Sequence, residues 1–312
     1  MSIIVRSFGG PEVLETAETP VPKPGPEQLR IRVVASSVNP IDLSTRAGRL
    51  TQAGLMAPAQ EVGLGWDVSG HVDALGAGAT RFTVGQAVIG LRDLLFAPGA
   101  HAEQVVLDES AVAPAPRSAS PIEAATLPLN GLTADRALDL ASLGRGQTLL
   151  VTGAAGGVGG FALQLAAMRG LKIIAVARHG DEALVQDLGA TQVLTSDGPS
   201  PSLGSAVRAL VPGGVDAVID AANLGIAAHD ALRGGGVFVA LVAPFAPPSI
   251  RGTRVVVQEV SADGARLAEL SALVDAGALT LRVAKTFRLR EAVAAHELAE
   301  AGGSRGRVVL MP

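Results

Sequence analysis

The amino-acid sequence predicts an α/β protein in two parts: a β-rich region, followed by a doubly wound parallel sheet with helices on both faces. From about residue 119 onward, short apolar runs alternate with helical patterns, an order typical of a parallel sheet covered by helices. Before that point, half-buried strand patterns are separated by prolines and glycines. The length of 312 residues also favours two domains over one.

Strand patterns with one buried face dominate the β-rich part. Residues 29–35 alternate between apolar and polar side chains, as expected of a strand that packs one face against a core. Similar runs predict strands at 68–75, 86–91 and 102–107. The proline cluster at 20–26 is interpreted as an exposed loop.

The second part alternates strands with helices. Its predicted strands are 148–152, 172–177, 191–194, 216–220, 236–241 and 254–259. Residues 121–141 are predicted to form two helical segments with an interruption near Pro128 and Gly131, and a further helix is predicted at 265–276.

The end of the chain indicates a return to the first domain. A strand at 281–287, a helix at 290–301 and a strand at 306–311 resemble the first part more than the second. The predicted domains are therefore 1–118 with 280–312 for the β-rich part, and 119–279 for the parallel sheet.

Composition excludes several classes of function. The net charge is −4, with acidic and basic residues mixed along the chain, so no nucleic-acid partner is expected. The lack of cysteine excludes disulfides, thiolate metal ligands and a cysteine nucleophile, and the lack of tyrosine removes a common proton donor. The sequence shows neither a secretory signal nor an apolar run that could span a bilayer, so we expect no membrane association and a cytoplasmic protein.

A glycine cluster at 153–159 follows the apolar run 148–152 and precedes a helical pattern. Gly153 and Gly156 lack a Cβ, so the chain can turn sharply and a phosphate can approach the backbone. Gly159 allows the helix to pack closely on the strand. Main-chain N–H groups and the positive end of the helix dipole then face the anion. This strand–turn–helix pattern predicts a site for a dinucleotide diphosphate.

The residues after the second strand of this region indicate which dinucleotide binds. An acidic residue at that position would accept hydrogen bonds from the ribose hydroxyls of NAD, but here the strand is followed by Arg178 and His179. Arg178 can pair with a 2′-phosphate, and His179 can add a donor, so NADPH is predicted over NADH. The alternative is that Arg178 is an exposed cation without a ligand. Asp181 and Glu182 are interpreted as the start of the next helix.

Several stretches, in order along nearly the whole chain, carry a family resemblance. They are residues 36–42, 65–70, 76–88, 127–134, 153–159, 188–190 and 303–310. On these stretches the chain resembles the zinc-independent medium-chain dehydrogenases/reductases of the quinone oxidoreductase (zeta-crystallin-like) branch. The resemblance implies a GroES-like β-rich catalytic domain plus a Rossmann domain. It also implies hydride transfer from NADPH to a quinone or an α,β-unsaturated carbonyl, and a homodimer that pairs through the sheet edge at 254–258.

The resemblance also implies a set of cofactor-binding residues. Asn39 and Thr133 would lie near the nicotinamide half of NADPH, and residues 155–158 would hold the diphosphate. The full predicted set is Asn39, Thr133, Gly153, Ala155, Gly156, Gly157, Val158, Gly159, Arg178, His179, Ala221, Asn223, Leu241, Val242, Ala243 and Arg305. The alternatives are a turn residue before Pro40 for Asn39 and a helix cap for Thr133.

No metal site is predicted. Zinc-dependent relatives bind metal through cysteine and a histidine with a glutamate neighbour, whereas this chain has no cysteine and its five histidines show no ligand spacing. Carbonyl polarisation would then come from hydrogen bonds or be unnecessary, and either case suits reduction of a conjugated carbonyl.

The proton donor and the substrate pocket are less well defined by the sequence. Asn39, Asp42, Arg46 and solvent are the candidate donors, with an ion pair between Asp42 and Arg46 as the alternative reading of their spacing. The predicted substrate pocket consists of Leu50, Met56, Trp66, Leu95, Phe96 and Phe245. Packing is the alternative for Trp66. Because aromatic residues make up only 3%, an aliphatic enone or an enoyl thioester is favoured over a flat quinone.

Two other functions remain open at this point. One is an enoyl reductase that acts in trans on a polyketide or fatty acyl thioester. The other is a non-catalytic NADPH-binding protein. An NADPH oxidation assay with several acceptor classes separates both from a quinone or enone reductase.

Overall fold

The computed structural model describes residues 1–93, 99–195 and 202–312. Its strands are β1 (Ser2–Val5), β2 (Glu15–Ala17), β3 (Gln28–Val38), β4 (Val62–Gly63), β5 (Asp67–Leu75), β6 (Ala87–Leu91), β7 (Gln104–Asp108), β8 (Val112–Pro114), β9 (Thr148–Thr152), β10 (Lys172–Ala177), β11 (Gln192–Thr195), β12 (Val215–Asp220), β13 (Leu232–Ala240), β14 (Arg254–Val257), β15 (Val283–Arg288) and β16 (Arg307–Met311). Its α-helices are α1 (Pro40–Arg46), α2 (Arg49–Gln52), α3 (Pro121–Ala124), α4 (Pro128–Ala141), α5 (Gly157–Met168), α6 (Glu182–Asp187), α7 (Leu203–Leu210), α8 (Ile226–His229), α9 (Gly264–Asp275) and α10 (Ala292–Ala301). Within these ranges, no helix is long and apolar enough to cross a membrane.

The chain divides into two compact units. Unit 1 comprises Met1–Leu132 and Ser261–Pro312, and unit 2 comprises Thr133–Val260. Residues 119–132 and 261–279 fall in unit 1 and not with the parallel sheet as expected. The second of these segments contains α9, which packs on the β-rich part of the chain. Ser271 Oγ donates a hydrogen bond to the carbonyl oxygen of Pro114, the last residue of β8, over 2.9 Å.

Unit 1 is built on a mainly antiparallel sheet with the order β15-β16-β3-β5-β6-β8, in which β7 also pairs with β3. A smaller sheet has the order β2-β1-β4. The C-terminal strand β16 pairs antiparallel with β3, with Val308 opposite Val38, so the predicted return of the chain to the first part is confirmed. One core lies around Ile3, Val38 and Leu310, and a second lies around Ile31, Val68 and Val88.

Unit 2 is a six-stranded parallel sheet with the order β11-β10-β9-β12-β13-β14. Counted within the unit, this order is 3-2-1-4-5-6, so the direction of winding reverses between β9 and β12. The strands are apolar on both faces, and Leu150, Val218 and Phe238 are fully buried. The predicted doubly wound α/β fold is confirmed. In such sheets, ligands bind beyond the carboxyl ends of the strands at the reversal point.

The two helical segments predicted over 121–141 are confirmed as α3 and α4, and the break lies directly before Pro128, whereas no interruption occurs at Gly131. Helix α4 begins at Pro128, where proline suits the first turn, and continues through Gly131 to Ala141. A Cβ at Gly131 would lie 2.9 Å from Leu127 Cδ1 and 3.3 Å from Leu270 Cδ1. This glycine therefore allows two leucine side chains to approach the helix, and it does not interrupt it.

Candidate functional site

The glycine turn (residues 153–159) joins β9 to α5 at the reversal point of the unit 2 sheet. Gly153 has φ +59°, and a Cβ there would lie 3.1 Å from the main chain of Ala221 and Ala222. A Cβ on Gly159 would lie 2.3 Å from the carbonyl oxygen of Gly153. Glycine is required at both positions by the backbone itself, because no flexible side chain is available to move aside.

The first turn of α5 presents main-chain donors at the carboxyl edge of the sheet. Gly156 is the N-cap residue of α5 and its N–H is bonded to Gly153 O at 2.9 Å. The N–H groups of Gly157 and Val158 lie in the first helical turn, where no carbonyl of the helix can accept them. With the helix dipole, these donors and the space left by the missing Cβ atoms fit a diphosphate.

A side-chain pair fixes the loop that faces the glycine turn. Thr152, the last residue of β9, donates from Oγ1 to Asp220 Oδ1 at 2.5 Å, and Asp220 ends β12. The same Thr152 Oγ1 accepts the N–H of Ala222 at 3.0 Å. Asp220 Oδ2 accepts the N–H of Gly225 at 2.8 Å. These two residues were missed in the sequence, although a polar residue at the end of each apolar strand is a usable signal.

The predicted adenosine end lies beyond β10. Arg178 and His179 follow this strand and are exposed. Gly180 has φ +89°, so the chain turns here. Glu182 fixes this turn, because its Oε2 accepts the Gly180 N–H at 2.7 Å and its Oε1 lies 3.1 Å from His179 Nδ1. The structure therefore holds both predicted side chains at the carboxyl edge, on an exposed turn.

The remaining predicted cofactor residues are distributed over both units. Asn223 follows β12 with φ +57°, and residues 241–243 follow β13, so both segments lie at the carboxyl edge of the unit 2 sheet. Thr133 lies within α4 and is buried. Arg305 belongs to unit 1, between α10 and β16, where its Nη1 donates to Gly303 O at 2.5 Å.

Asn39 is the centre of a buried polar network in unit 1, defined here as Asn39, Asp42, Asp67, Asn130 and Arg307. Asn39 is the N-cap residue of α1 and is fully buried. Its Nδ2 donates to Asp67 Oδ2 at 2.7 Å, and its Oδ1 accepts from Asn130 Nδ2 at 3.0 Å. Both ends of the Asn39 amide are therefore occupied by partners within unit 1.

The two carboxyl groups of the network are held by main-chain donors. Asp42 Oδ2 accepts the N–H of Asn39 and Asp42 Oδ1 accepts the N–H of Gly65, both at 2.8 Å. Asp67 Oδ1 accepts the N–H of Leu129, at the start of α4, at 2.7 Å. Burial raises the pKa of Asp42 and of Asp67 to about 7, against the opposing effect of these hydrogen bonds.

Arg307 brings the C-terminal strand into the network. It is the first residue of β16, and its Nη2 donates to Asn130 Oδ1 at 2.6 Å. Burial lowers the pKa of Arg307 to about 10, while the charge of Asp67 acts in the opposite direction. The network thus joins α1, β5, α4 and β16. Asp67, Asn130 and Arg307 were missed in the sequence, although each lies within a stretch that carries the family resemblance.

Arg46 does not pair with Asp42, and the ion pair expected from their spacing is wrong. Arg46 points to α10, where its Nη2 donates to Glu300 Oε2 at 3.0 Å and its Nη1 lies 3.4 Å from His296 Nδ1. Asp42 is committed to the main chain at the other end of α1. The His296 ring lies edge-on to His101, with 5.8 Å between centroids, and burial lowers the pKa of His296 to about 3 and that of His101 to about 4.

The predicted substrate residues do not form one group. Met56 is 4% exposed within the core around Ile3, and Leu50 packs against the same core, so both have packing contacts. Trp66 is half-buried, and its carbonyl oxygen accepts the N–H of Arg92 at 2.7 Å. Phe245 is exposed in unit 2. Leu95 and Phe96 lie outside the described residues.

Comparison with known proteins supports both parts of the fold. An alcohol dehydrogenase GroES-like domain model matches residues 25–117, and a zinc-binding dehydrogenase model matches residues 188–310. The structure of a quinone oxidoreductase from Coxiella burnetii is 31% identical, covers 100% of this chain and 98% of its own, and superposes with a TM-score of 0.84. The chain belongs to the quinone oxidoreductase family of medium-chain dehydrogenases/reductases. Unit 1 thus contains the family's GroES-like domain, and unit 2 is its Rossmann-like parallel sheet.

Two further members of the wider family are informative. A mycobacterial protein solved in complex with NADPH is 31% identical, covers 100% of this chain and 99% of its own, and has a TM-score of 0.84. A 2-methylene-furan-3-one reductase from Solanum lycopersicum is 29% identical over 98% of this chain and 77% of its own length. Membership of this family identifies the protein as an oxidoreductase that uses a nicotinamide cofactor. Over the ranges that the structure covers, no group of three or more histidine, aspartate or glutamate residues is arranged to hold a metal ion.

Proposed function

We propose that the protein is an NADPH-dependent reductase that transfers hydride to a quinone or an α,β-unsaturated carbonyl without a metal ion. The observation that carries this proposal is the glycine turn at the reversal point of a parallel sheet, with main-chain donors at the start of α5. When bound, NADPH supplies the hydride from its nicotinamide ring. The relatives reported above act on quinones or on an enone-type substrate, or bind NADPH, and they support the same class.

The contribution of Arg178 is selection of NADPH. It lies exposed beyond β10, at the carboxyl edge of the sheet and without a neighbouring carboxylate in the position that would favour NADH. A guanidinium group there can form charge-assisted hydrogen bonds with a 2′-phosphate. His179, held by Glu182, is placed to add a second donor.

Asn39, Asp42 and Arg46 are proposed to position the site, and solvent is proposed as the proton donor. The Asn39 amide and both oxygens of Asp42 already have partners inside unit 1, and Arg46 is bonded to α10. A buried acid with two main-chain donors has a structural use that does not require proton transfer to a substrate. The network fixes the end of β3 and the start of α1.

A homodimer that pairs through β14 is proposed as the assembly. Among the described strands, β14 pairs with β13 alone, so its other edge offers unpaired main-chain groups, and Val257 is 40% exposed. Light scattering of the purified protein measures this directly, and a monomer at micromolar concentration would contradict it.

The test of the function has two steps. Titration with NADPH and NADH measures cofactor binding, and we expect tighter binding of NADPH. Oxidation of NADPH is then followed with quinones, alkenals and enoyl thioesters, with turnover expected on quinones or enones and no loss of activity after chelator treatment. Turnover restricted to enoyl thioesters would favour the trans-acting enoyl reductase. Tight binding without turnover on any acceptor would favour a non-catalytic NADPH-binding protein.

A further inference from the structure

Gln258 carries a buried donor without a partner at the carboxyl edge of the unit 2 sheet. This residue directly follows β14, and its N–H donates to Ala240 O at 2.8 Å, so it continues the pairing of β14 with β13. The side chain is 5% exposed, and its Nε2 has no hydrogen-bond partner. An unpaired buried donor costs about 1 to 3 kcal/mol, which favours a ligand that accepts from it.

The position of Gln258 relative to α4 indicates what it faces. Side chains alternate along a strand, so Gln258 shares the face of β14 that carries Arg254, and Arg254 Nη2 donates to Leu140 O near the end of α4 at 2.6 Å. The short connection from α4 to β9 places the end of α4 at the amino edge of the sheet. The start of the helix, including Thr133, therefore lies toward the carboxyl edge, as Gln258 does.

Among the described residues of unit 2, one other side chain also has a buried polar atom without a partner. The other buried side-chain atom of the described part of unit 2 without a partner is His229 Nδ1. His229 lies beside Thr253, which precedes β14, so it is at the amino edge of the sheet, away from the glycine turn. Gln258 is thus the described residue of this unit that combines an unpaired buried donor with the ligand-binding edge.

The order of the strands assigns a part of the cofactor to Gln258. The glycine turn follows β9, and Arg178 follows β10 on one side of it. A dinucleotide that places its diphosphate on α5 and its adenosine over β10 extends its other half over β12 and β13 toward β14. The group that reaches this side is the nicotinamide half, whose carboxamide oxygen and ribose hydroxyls accept hydrogen bonds.

We propose that Gln258 donates a hydrogen bond from Nε2 to the nicotinamide half of the bound cofactor. This inference rests on the proposed function. The amide is covered in the ligand-free protein, and rotation about its last side-chain torsion, which is broad in glutamine, turns Nε2 toward the ligand. Gln258 then contributes to cofactor binding on the nicotinamide side, as Arg178 does on the adenosine side.

The experiment compares two ligands that differ in the nicotinamide half. Calorimetric titration gives the Kd of NADPH and of 2′-phospho-ADP-ribose for the wild type and for Gln258→Leu. We expect the variant to bind NADPH about 5- to 10-fold more weakly, the effect of one neutral hydrogen bond, and to bind 2′-phospho-ADP-ribose unchanged. Because the substitution removes an unpaired donor, the Tm of the ligand-free variant should equal or exceed that of the wild type.

Two variants serve as controls. Gln164→Leu removes a buried glutamine whose Nε2 already donates to Gly160 O at 3.1 Å, and it should leave the ratio of the two dissociation constants unchanged. Gln258→Met repeats the test with an unbranched side chain, so that a folding failure of Gln258→Leu does not end the experiment.

Two results would overturn the inference. Gln258 variants that bind both ligands as the wild type does, or that weaken both equally, would show that the residue does not bind the nicotinamide half. A wild-type protein that binds neither ligand would instead reject the proposed function itself, so the two failures are distinguishable.

Discussion

The glycine turn of unit 2 and the buried polar network of unit 1 differ in the chemical groups from which they are made. In the turn, the functional groups are main-chain N–H groups, and the side chains matter because they are absent at Gly153 and Gly159. In the network, the functional groups are side chains that come from segments far apart in sequence, such as Asn39 and Arg307. Adding atoms should therefore damage the turn, and removing atoms should damage the network.

The largest effect should come from removing the cation of the network. Arg307→Met leaves Asn130 without a donor and the two buried carboxyl groups without a nearby positive charge. We expect the free energy of unfolding to fall by about 3 kcal/mol, because a buried charge network with one partner removed is strongly destabilised. Urea denaturation measures this.

Arg288→Met is the matched control for that experiment. Arg288 is exposed at the end of β15, and its substitution should change the free energy of unfolding by less than about 0.5 kcal/mol. Equal losses in the two variants would contradict the central role of Arg307.

A single added methyl group should disable the turn. Gly159→Ala places a Cβ 2.3 Å from Gly153 O, so α5 must shift away from the turn. We expect a cost of about 2 kcal/mol, expressed as about 30-fold weaker NADPH binding, because the main-chain donors move with the helix. Fluorescence titration with NADPH measures the affinity.

Gly213→Ala provides the comparison for the turn. Gly213 has no atom within 4 Å of an added Cβ, and it lies in the same unit. The NADPH affinity of the Gly213→Ala variant should match that of the wild type. If Gly159→Ala binds NADPH as tightly as Gly213→Ala does, the glycine turn is not the diphosphate site.

Unlike the main-chain donors of the glycine turn, Arg178 should contribute to cofactor binding through its side chain. Arg178→Gln removes the charge proposed to bind the 2′-phosphate, and we expect about tenfold weaker NADPH binding with NADH binding unchanged, since a charge-assisted hydrogen bond contributes about 1.5 kcal/mol. Lys172→Gln, at the exposed amino end of the same strand, should alter neither affinity. Equal loss for both cofactors would remove Arg178 from the specificity argument.

The effects above refer to a single pH, and the network should also make the free energy of unfolding depend on pH. Burial raises the pKa of Asp67 to about 7, above its unfolded value near 4, so between these pH values the folded protein holds a proton that the unfolded chain has released. The free energy of unfolding therefore falls as the pH rises through this window, by up to about 1.4 kcal/mol per pH unit for one such group.

Asp67→Asn removes the part of the pH dependence of stability that comes from protonation of Asp67. The difference in free energy of unfolding between variant and wild type, measured by urea denaturation from pH 5 to pH 8, should shift in favour of the variant as the pH rises. Asparagine retains an oxygen that can accept the Leu129 N–H. A difference that stays constant over this range would show that Asp67 is ionised in the folded protein.

The two regions were not equally accessible from the sequence. The strand 148–152 was predicted with the bounds that β9 has, because an apolar run followed by glycines is a local signal that neighbouring residues complete. Asn39 and Asp42 were recognised as candidates, but their partners were not, because Asp67, Asn130 and Arg307 are separated from them by long segments. The break expected near Pro128 and Gly131 is observed before Pro128 and not at Gly131, where Leu127 and the distant Leu270 occupy the space that a side chain would fill.

By itself, the sequence determined the alternation of strands and helices, the glycine turn and the absence of cysteine chemistry, because these depend on residue type and local spacing. Only the tertiary structure decided that Arg46 bonds to α10 and not to Asp42, that Asn39 is enclosed by side chains, and that Gln258 has a buried donor without a partner. The physical reason is that periodicity reports which face of an element is buried, whereas the partner of a buried polar atom depends on which segments the fold brings together.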